Sequence, residues 1–439
     1  MKFRLFLLLF LGLFCSVAIL FNDYSKFPID VILFSLIVLL YLLEFLFRLN
    51  GQKLTVVDLF LIFLSLYIVF GFYLYSIPFI SFNLSELISV NFGENEKVIK
   101  LIKMVYLFII LVNYVFLRAE AKPFASLSYF DDGSKYWDLT AFILLCASLF
   151  YCIWLYNITA GTYIHFSKLD GSYFNRLGWL IVLTSSAITL FQIKNKPLKS
   201  FFFYLLSVLL ISILILLSIR IYAAAILFGM LLNMQIRGVV LRVKHLVIIL
   251  FVFLLIVSRS VFRFQNFDLT NMPLFLITVL GEFIIPNVSN YYFFSNDVGY
   301  NQPFSFLDIF SQSLPSGYRL EPFLYEFRDQ YIALGSHPWI IGGISFVGQL
   351  YFYFGLFSII IYAAFLVFLT KLRANILFGK FSIFLCVLPP LAMVLPRMEL
   401  WTLRACLINL IFFALIRVIV PRKTVTFKED VTSTCTAKS

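Results

Sequence analysis

The chain has 439 residues, of which 62% are hydrophobic and only 13% are charged, and its mean hydropathy is +0.98. This composition excludes a soluble globular protein, in which about a quarter of the residues are charged. The net charge is +12 at neutral pH. Most of the Lys and Arg fall in segments that the positive-inside rule places in the cytoplasm, so the basic excess does not indicate a nucleic-acid partner.

Apolar segments recur along the whole sequence, and about 12 of them approach the length of about 20 residues that crosses a hydrocarbon core. Their pattern predicts an all-α, polytopic membrane protein. The first segment follows a basic start, lacks a small-residue cleavage site and leads into further spans, so we interpret it as a retained helix. The segments lie at 4–21, 28–47, 55–76, 99–117, 138–156, 177–193, 200–218, 221–236, 245–260, 344–369, 381–396 and 402–420.

The order of these segments divides the chain into four regions. Residues 1–260 carry transmembrane helices 1–9, residues 261–343 form one large loop, residues 344–420 carry helices 10–12, and residues 421–439 form a polar tail. The distribution of Lys and Arg predicts that both termini and the tail are cytoplasmic and that the large loop is periplasmic. Connections as long as this loop are usually functional or disordered, and its aromatic content and low charge favour a folded cap.

Arg220 lies in the segment LLSIRIYAAAI, between two apolar runs on the predicted outer side. An Arg near the centre of a bilayer costs about 3 kcal/mol on insertion scales, so its position needs an explanation. One explanation is an interfacial side chain that reaches out to water. The other is an anion ligand at a helix N-terminus, where the helix dipole adds to the guanidinium charge.

A second pair of arginines follows in VLPRMELWTLRAC, near the end of the chain. Arg397 and Arg404 are seven residues apart, which places them on one face of a helix. Arg404 lies about two turns into the twelfth predicted span, and an intramembrane Arg is a functional hypothesis by default. Glu399 either suits the positive end of the helix dipole or pairs with an arginine.

Further charged residues belong to the predicted loop and its entry. Arg259 and Arg263 are spaced i, i+4 where the ninth span ends, a place where basic residues are also common without a function. The loop adds Arg319, Glu326, Arg328 and His337. Several arginines on one side of the membrane, with few acidic partners in the spans, suit an anion with several oxygens such as a phosphate. No spacing typical of metal ligands occurs, so we predict no metal and no cofactor.

On the outer side of a bacterial membrane, the pyrophosphate of a polyprenyl lipid carrier is an anion of this kind. The arrangement resembles the Wzy family of O-antigen polymerases, which transfer lipid-linked oligosaccharides and are similar to GT-C glycosyltransferases. The resemblance covers about residues 200–420. It rests on the large outer loop between spans nine and ten and on three short stretches of sequence. These are SIRIYAAA before the loop, GSHPWIIGGISFVGQLYFYFG at its exit, and PRMELWTLR near the end of the chain. Ile219 and Gln349 depart from the residues that are commoner in the family.

The resemblance implies a metal-independent glycosyltransferase of lipopolysaccharide biosynthesis in the bacterial inner membrane. It would polymerise oligosaccharide repeat units carried on undecaprenyl pyrophosphate, with a chain-length regulator as partner. The implied pyrophosphate and substrate ligands are Arg220, Arg397 and Arg404, assisted by Arg319 or Arg328, with Arg259, Arg263 and Glu399 nearby. His337 or Glu326 is the candidate catalytic base, and His has the more suitable unperturbed pKa.

Two other functions fit the same sequence. An O-antigen ligase would have the same architecture but a different acceptor, and the Pro338 that follows His337 differs from the residue that ligases commonly have there. A polysaccharide flippase or transporter would also have about 12 spans, but it would more usually show two comparable halves and short outer loops.

Overall fold

The computed structural model describes the chain in separate stretches. These are residues 2–21, 28–50, 55–76, 96–118, 134–159, 171–191, 197–217, 219–236, 346–375 and 409–415, together with 287, 290, 291, 294 and 389. Within these stretches nearly every residue is helical and none is in a β-strand. The prediction of an all-α protein is therefore confirmed for the described part of the chain.

Ten α-helices are described between residues 2 and 375. They are α1 (Lys2–Phe21), α2 (Ile29–Asn50), α3 (Val56–Leu74), α4 (Glu96–Arg118), α5 (Ser134–Ile158), α6 (Gly171–Leu190), α7 (Pro197–Leu216), α8 (Arg220–Ile236), α9 (Phe346–Phe354) and α10 (Ser358–Asn375). A short 3-10 turn, Gly355–Phe357, separates α9 from α10. Residues 409–415 are also helical.

Six of these helices, α1 to α5 and α7, are long and apolar enough to cross a membrane, and α6, α8 and the start of α10 contain shorter apolar stretches. The protein is therefore a membrane protein. Helices α1 to α8 coincide with the first eight predicted segments, with boundaries that differ by a few residues. The predicted span at 245–260, most of those at 381–396 and 402–420, and most of the loop at 261–343 lie outside the described residues.

The predicted tenth span, 344–369, is not one continuous helix. Helix α9 ends at Phe354, and Gly355 has a φ of 54°, a backbone conformation that glycine adopts without steric cost. The ring of Phe346 lies 5.9 Å from that of Tyr362 and 5.7 Å from that of Phe365. In a continuous helix these rings would be more than about 20 Å apart, so α9 and α10 fold back on each other as a hairpin.

The helices build two hydrophobic cores that share α8. The first core lies among α1 to α4, α9 and α10, and the second among α5 to α8. Leu231 and Leu232 of α8 belong to the first core, whereas Tyr222 and Ile226 belong to the second. The ring of Phe228 in the second half of α8 also lies 6.5 Å from that of Phe60 near the start of α3. Helix α8 therefore joins the two groups of helices.

Contacts between helix ends give the bundle two distinct ends. Asp30 and Lys103 pair near the starts of α2 and α4. Asn233 near the end of α8 accepts a hydrogen bond from Tyr204 near the start of α7, at 2.8 Å, and donates to the carbonyl of Thr189 near the end of α6, at 3.1 Å. The end at which α2, α4, α6 and α8 begin is termed the outer end, because the charge distribution predicts it outside the cytoplasm. The opposite end is the inner end.

Close packing of α6 against α8 depends on Gly229. A Cβ atom at this position would lie 2.5 Å from the backbone oxygen of Ser185, so the two backbones approach directly. Small residues at membrane-helix interfaces permit such approach and the dispersion contacts that stabilise it. At Gly12 in α1, by contrast, a Cβ would meet side-chain atoms of Leu111, the nearest at 2.9 Å, and a side chain can move more cheaply than a backbone.

We expect Gly229→Ala to destabilise the protein by about 1–3 kcal/mol, because α8 must move away from α6 to admit the methyl group. Gly12→Ala is the matched control and should cost clearly less. The measurement is thermal unfolding in detergent with a thiol-reactive dye, which labels the buried Cys15 and Cys152 only when they become exposed. Equal midpoints for the two variants would contradict the backbone contact at Gly229.

Candidate functional site

Arg220, the first predicted anion ligand, is the first residue of α8. The chain reaches it through a tight turn after α7, in which the N–H of Leu217 donates to the carbonyl of Ile213 and the N–H of Ile219 donates to that of Leu214, each at 2.9 Å. The N–H of Ala223 donates to the carbonyl of Ile219 at 3.3 Å and begins the helical pattern. The predicted hairpin between the seventh and eighth segments is therefore present, with Arg220 at the outer end.

This position has the electrostatics that an anion site needs. The first N–H groups of an α-helix have no intrahelical acceptor and point out of its N-terminus. Together with the helix dipole they favour negative charge, and a guanidinium in the first turn adds a full positive charge. The other predicted site residues lie outside the described stretches: Arg259, Arg263, Arg319, Glu326, Arg328, His337, Arg397, Glu399 and Arg404.

A buried ion pair lies at the outer end between α2 and α4. The Lys103 ammonium pairs with the Asp30 carboxylate, and the two residues are only 7% and 2% exposed. The Cys15 thiol donates to the backbone carbonyl of Asp30 at 3.6 Å. The Lys103 Nζ lies 5.6 Å from the ring centroid of Phe72, which stacks on Phe34 at 3.7 Å. Ionisable residues in this setting are costly to bury, so the pair is a candidate functional element.

Sequence analysis missed this pair. Lys103 lies near the start of a predicted span, where a lysine that reaches the membrane surface is ordinary. Asp30 similarly lies in the first turn of α2, where an acidic residue suits the helix dipole. The sequence does show an acidic residue and a basic residue near the outer ends of two predicted spans, but only the contact in the structure shows that they are partners.

A second buried ion pair, at the inner end, has a structural explanation. The Arg48 guanidinium lies 3.5 Å from the Asp58 carboxylate and donates to the carbonyl of Leu117 at the end of α4. Asp58 also accepts from the backbone N–H and the hydroxyl of Thr55, each at 2.7 Å, while its own N–H donates to the Thr55 hydroxyl at 3.2 Å. This capping box begins α3, and Arg48 ties it to α2 and α4.

In the middle of the bundle, at a level between these two ion pairs, uncharged side chains form a hydrogen-bonded network. The Ser65 hydroxyl donates to the Tyr41 hydroxyl at 3.0 Å and accepts from the Asn113 amide at 2.9 Å. The Tyr362 hydroxyl donates to the amide oxygen of Asn113 at 2.6 Å. This network connects α2, α3, α4 and α10 through side chains that serve as hydrogen-bond partners for one another. Such networks are typical of the polar groups that fix helix packing in membranes.

Residues from the predicted loop are buried against α3 and α4. Asn287 accepts from the Tyr75 hydroxyl at its backbone carbonyl and from the Tyr106 hydroxyl at its amide oxygen, both at 2.6 Å. Its amide donates to the carbonyl of Tyr67 at 2.8 Å, and the Asn290 amide donates to the Tyr106 hydroxyl. These five residues are termed the outer polar cluster. Tyr67 is about two turns inside α3, so this piece of the predicted loop reaches into the bundle.

Two further contacts hold this piece in place. Gly71 of α3 faces Asn287 so closely that a Cβ would lie 2.6 Å from the Asn287 amide oxygen. The ring of Phe294 stacks on that of Tyr351 in α9 at 3.7 Å. Asn287 therefore contacts α3 and α4, and Phe294 contacts the α9–α10 hairpin. The described residues contain no group of three or more His, Cys, Asp or Glu that could hold a metal ion.

Comparison with known proteins adds no relative. No protein-family model, no curated protein and no solved structure matches the chain. The functional argument therefore rests on the residues and contacts described above.

We expect Asp30→Asn to destabilise the protein by about 3–5 kcal/mol, because it leaves the Lys103 ammonium buried without a counter-charge. The double variant Asp30→Asn/Lys103→Met should recover most of that loss, since both charges are removed. Thermal unfolding in detergent measures both effects.

The control is Glu96→Gln, which breaks the surface pair of Glu96 with Lys100 (2.7 Å) on the same helix and should cost less than about 1 kcal/mol. A double variant as unstable as Asp30→Asn would contradict the role of charge balance. A stable double variant that has lost its activity in cells would show that the pair also serves function.

Proposed function

We propose that the chain is a metal-independent glycosyltransferase of the bacterial inner membrane, which polymerises undecaprenyl-pyrophosphate-linked repeat units into O-antigen-type polysaccharide on the periplasmic side. The observation that carries the proposal is the position of Arg220. It is the first residue of α8 at the outer end, and α8 packs in both cores, which supports a helix N-terminus of fixed position as a site for an anion. The sequence resemblance supplies the reaction type.

The proposed glycosyl transfer depends more on stabilisation of the negative charge on the leaving group than on a strong nucleophile. A hydroxyl oxygen of the acceptor sugar forms a bond to the anomeric carbon of the donor glycan, and the bond from that carbon to the pyrophosphate oxygen breaks. The acceptor proton passes to a general base, and polyprenyl pyrophosphate leaves with the electron pair. Negative charge grows on the leaving oxygens, where a preorganised guanidinium and helix N–H groups stabilise the transition state.

The remaining roles follow the sequence resemblance. Arg397 and Arg404 would bind the pyrophosphate with Arg220, and His337 or Glu326 would accept the proton. Arg319 or Arg328 would assist, while Arg259, Arg263 and Glu399 would line the substrate path. The enzyme would have both termini in the cytoplasm and would work with a chain-length regulator.

A flippase or transporter is the second candidate, and one observation favours it. Two ion pairs, Asp30–Lys103 and Arg48–Asp58, are buried within the same group of helices. Charged side chains inside membrane bundles often mark a path for substrate or protons. Because the contacts around Arg48 already have a structural explanation, only the Asp30–Lys103 pair supports a transporter. An O-antigen ligase would use the same outer arginines with a lipid A core as acceptor.

We expect Arg220→Ala to abolish the long polysaccharide ladder in a strain that lacks the gene, because loss of one charge-stabilising group costs about 100- to 1,000-fold in rate. Arg220→Lys should keep part of the activity, since it retains the charge but not the bidentate fork. Lys97→Ala, an exposed cation at the same end, is the control and should leave the ladder unchanged. Surface polysaccharide is analysed on a carbohydrate-stained gel, with expression checked by immunoblot.

The banding pattern separates a polymerase from the other two candidate functions. Lipid A core that carries a single repeat unit, in the strain without the gene, identifies a polymerase. Bare core in that strain would contradict polymerisation and indicate a ligase or a flippase. An unchanged ladder with Arg220→Ala would contradict the role of this arginine in pyrophosphate binding.

A further inference from the structure

Three aromatic rings from two helices meet at the outer end of the second core. Tyr151 and Trp154 lie in the last turns of α5, and Tyr173 lies in the first turn of α6. The ring of Trp154 is 5.5 Å from that of Tyr151 and 5.8 Å from that of Tyr173, with interplanar angles of 32° and 36°. These three residues are termed the aromatic platform. The guanidinium of Arg176 lies 5.9 Å from the Tyr173 ring.

The platform is rigid at its base and open at its face. Tyr151 and Tyr173 are partly buried and pack against the second core, and the Tyr151 hydroxyl donates to the backbone carbonyl of Tyr173 at 3.4 Å. Trp154 is 44% exposed and Arg176 is exposed. The partly exposed Trp154 ring therefore lies beside an exposed cation, and its two aromatic neighbours are held by packing against the second core. Preorganisation of this kind lowers the entropy lost on binding.

An interfacial aromatic belt explains single Trp and Tyr side chains at this depth, but it does not require them to touch. Here three rings from two helices are in contact, the Trp154 ring is partly exposed, and the Arg176 guanidinium lies over the Tyr173 ring. The axial C–H groups of a pyranose ring carry partial positive charge, and the face of an aromatic ring carries the negative part of its quadrupole. A sugar ring fits such a surface, while its hydroxyl groups or a nearby phosphate fit Arg176.

The surroundings indicate how the sugar would arrive. One turn before Trp154 on the same side of α5, Phe150 is 72% exposed, and Leu139 and Ile143 are exposed further towards the inner end. In a membrane protein this apolar side faces lipid. A lipid tail can therefore lie along α5 while the sugar attached to it contacts the platform, so the tail need not leave the membrane.

We propose that the aromatic platform and Arg176 form a docking site for the sugar of a membrane-anchored glycan, separate from the arginine site at the start of α8. This inference rests on the proposed function, which supplies the lipid-linked glycan as substrate. The platform would hold such a glycan at the lipid-facing surface of α5 and α6. The platform would bind the sugar of the substrate, whereas Arg220 would stabilise the charge of the pyrophosphate.

The test is a binding measurement with full-length protein in lipid nanodiscs. One probe is the repeat-unit oligosaccharide released by mild acid from the polysaccharide of the source strain, and the other is the same unit on undecaprenyl pyrophosphate. Trp154→Ala should weaken binding of both probes by about five- to tenfold, which corresponds to the worth of one aromatic contact. Trp154→Phe should keep most of the affinity, and Phe150→Ala, the control on the same side of α5, should leave the affinity for the free oligosaccharide unchanged. Arg176→Gln should weaken binding as well.

The outcomes separate this proposal from the proposed function. Unchanged affinity for both probes in Trp154→Ala, with a normal ladder in cells, would overturn the docking site and leave the polymerase proposal intact. Equal losses of affinity for the free oligosaccharide in Trp154→Ala and Phe150→Ala would also overturn it, because a general disturbance of α5 would then explain the effect. If Trp154→Ala does not fold, a loss of affinity in Trp154→Phe as large as that of the Arg176 variant would count against stacking. A wild-type protein that yields no ladder and binds neither probe would overturn both proposals.

Discussion

Hydrocarbon offers no partner to a polar group, and this constraint decides how the helices of the protein meet. A backbone N–H or C=O is satisfied within its own helix. A Ser or Thr hydroxyl can also bond to a carbonyl of its own helix, as Ser207 does with Phe203, but the side-chain amide of an Asn needs partners on other helices. Asn113 meets Ser65 and Tyr362, and Asn287 meets Tyr75 and Tyr106. Each such contact selects one arrangement of neighbouring helices, whereas apolar surfaces would allow many, since lipid tails are as apolar as the side chains.

Helix α8 shows what this selection achieves. Its backbone approaches α6 at Gly229, its Asn233 reaches α6 and α7, and its Phe228 reaches α3. A helix held by three neighbours cannot tilt or slide freely, so the backbone at its first residue, Arg220, has a defined position. A helix N-terminus contributes most to charge stabilisation when it need not reorganise during the reaction. The packing of α8 is therefore part of the argument for the proposed site.

The sequence predicted what depends on hydropathy and little of what depends on contact. The spans from α1 to α8 follow from runs of apolar residues, and the start of α8 follows from a charged residue between two such runs. The hairpin at Gly355 was missed because Gly inside an apolar segment is also common within membrane helices. The pairing of Asp30 with Lys103 and the burial of Asn287 were missed because they join residues that are distant in sequence. A single sequence shows which charged residues lie near the ends of spans, but not which of them are in contact.

The two buried ion pairs differ in a way that bears on function. Asp58 is surrounded by the donors of Thr55 and Arg48, and the whole group begins a helix, so its cost is offset by the structure that it organises. The described contacts of Asp30 and Lys103 begin no helix in this way, and the pair lies at the same end as the start of α8 and the outer polar cluster. Burying two charges roughly breaks even at best against apolar residues of the same shape. Under the proposed function, the pair would contribute the dipole field that it adds at this end of the bundle, because two paired charges without net charge act on a nearby anion only through their dipole.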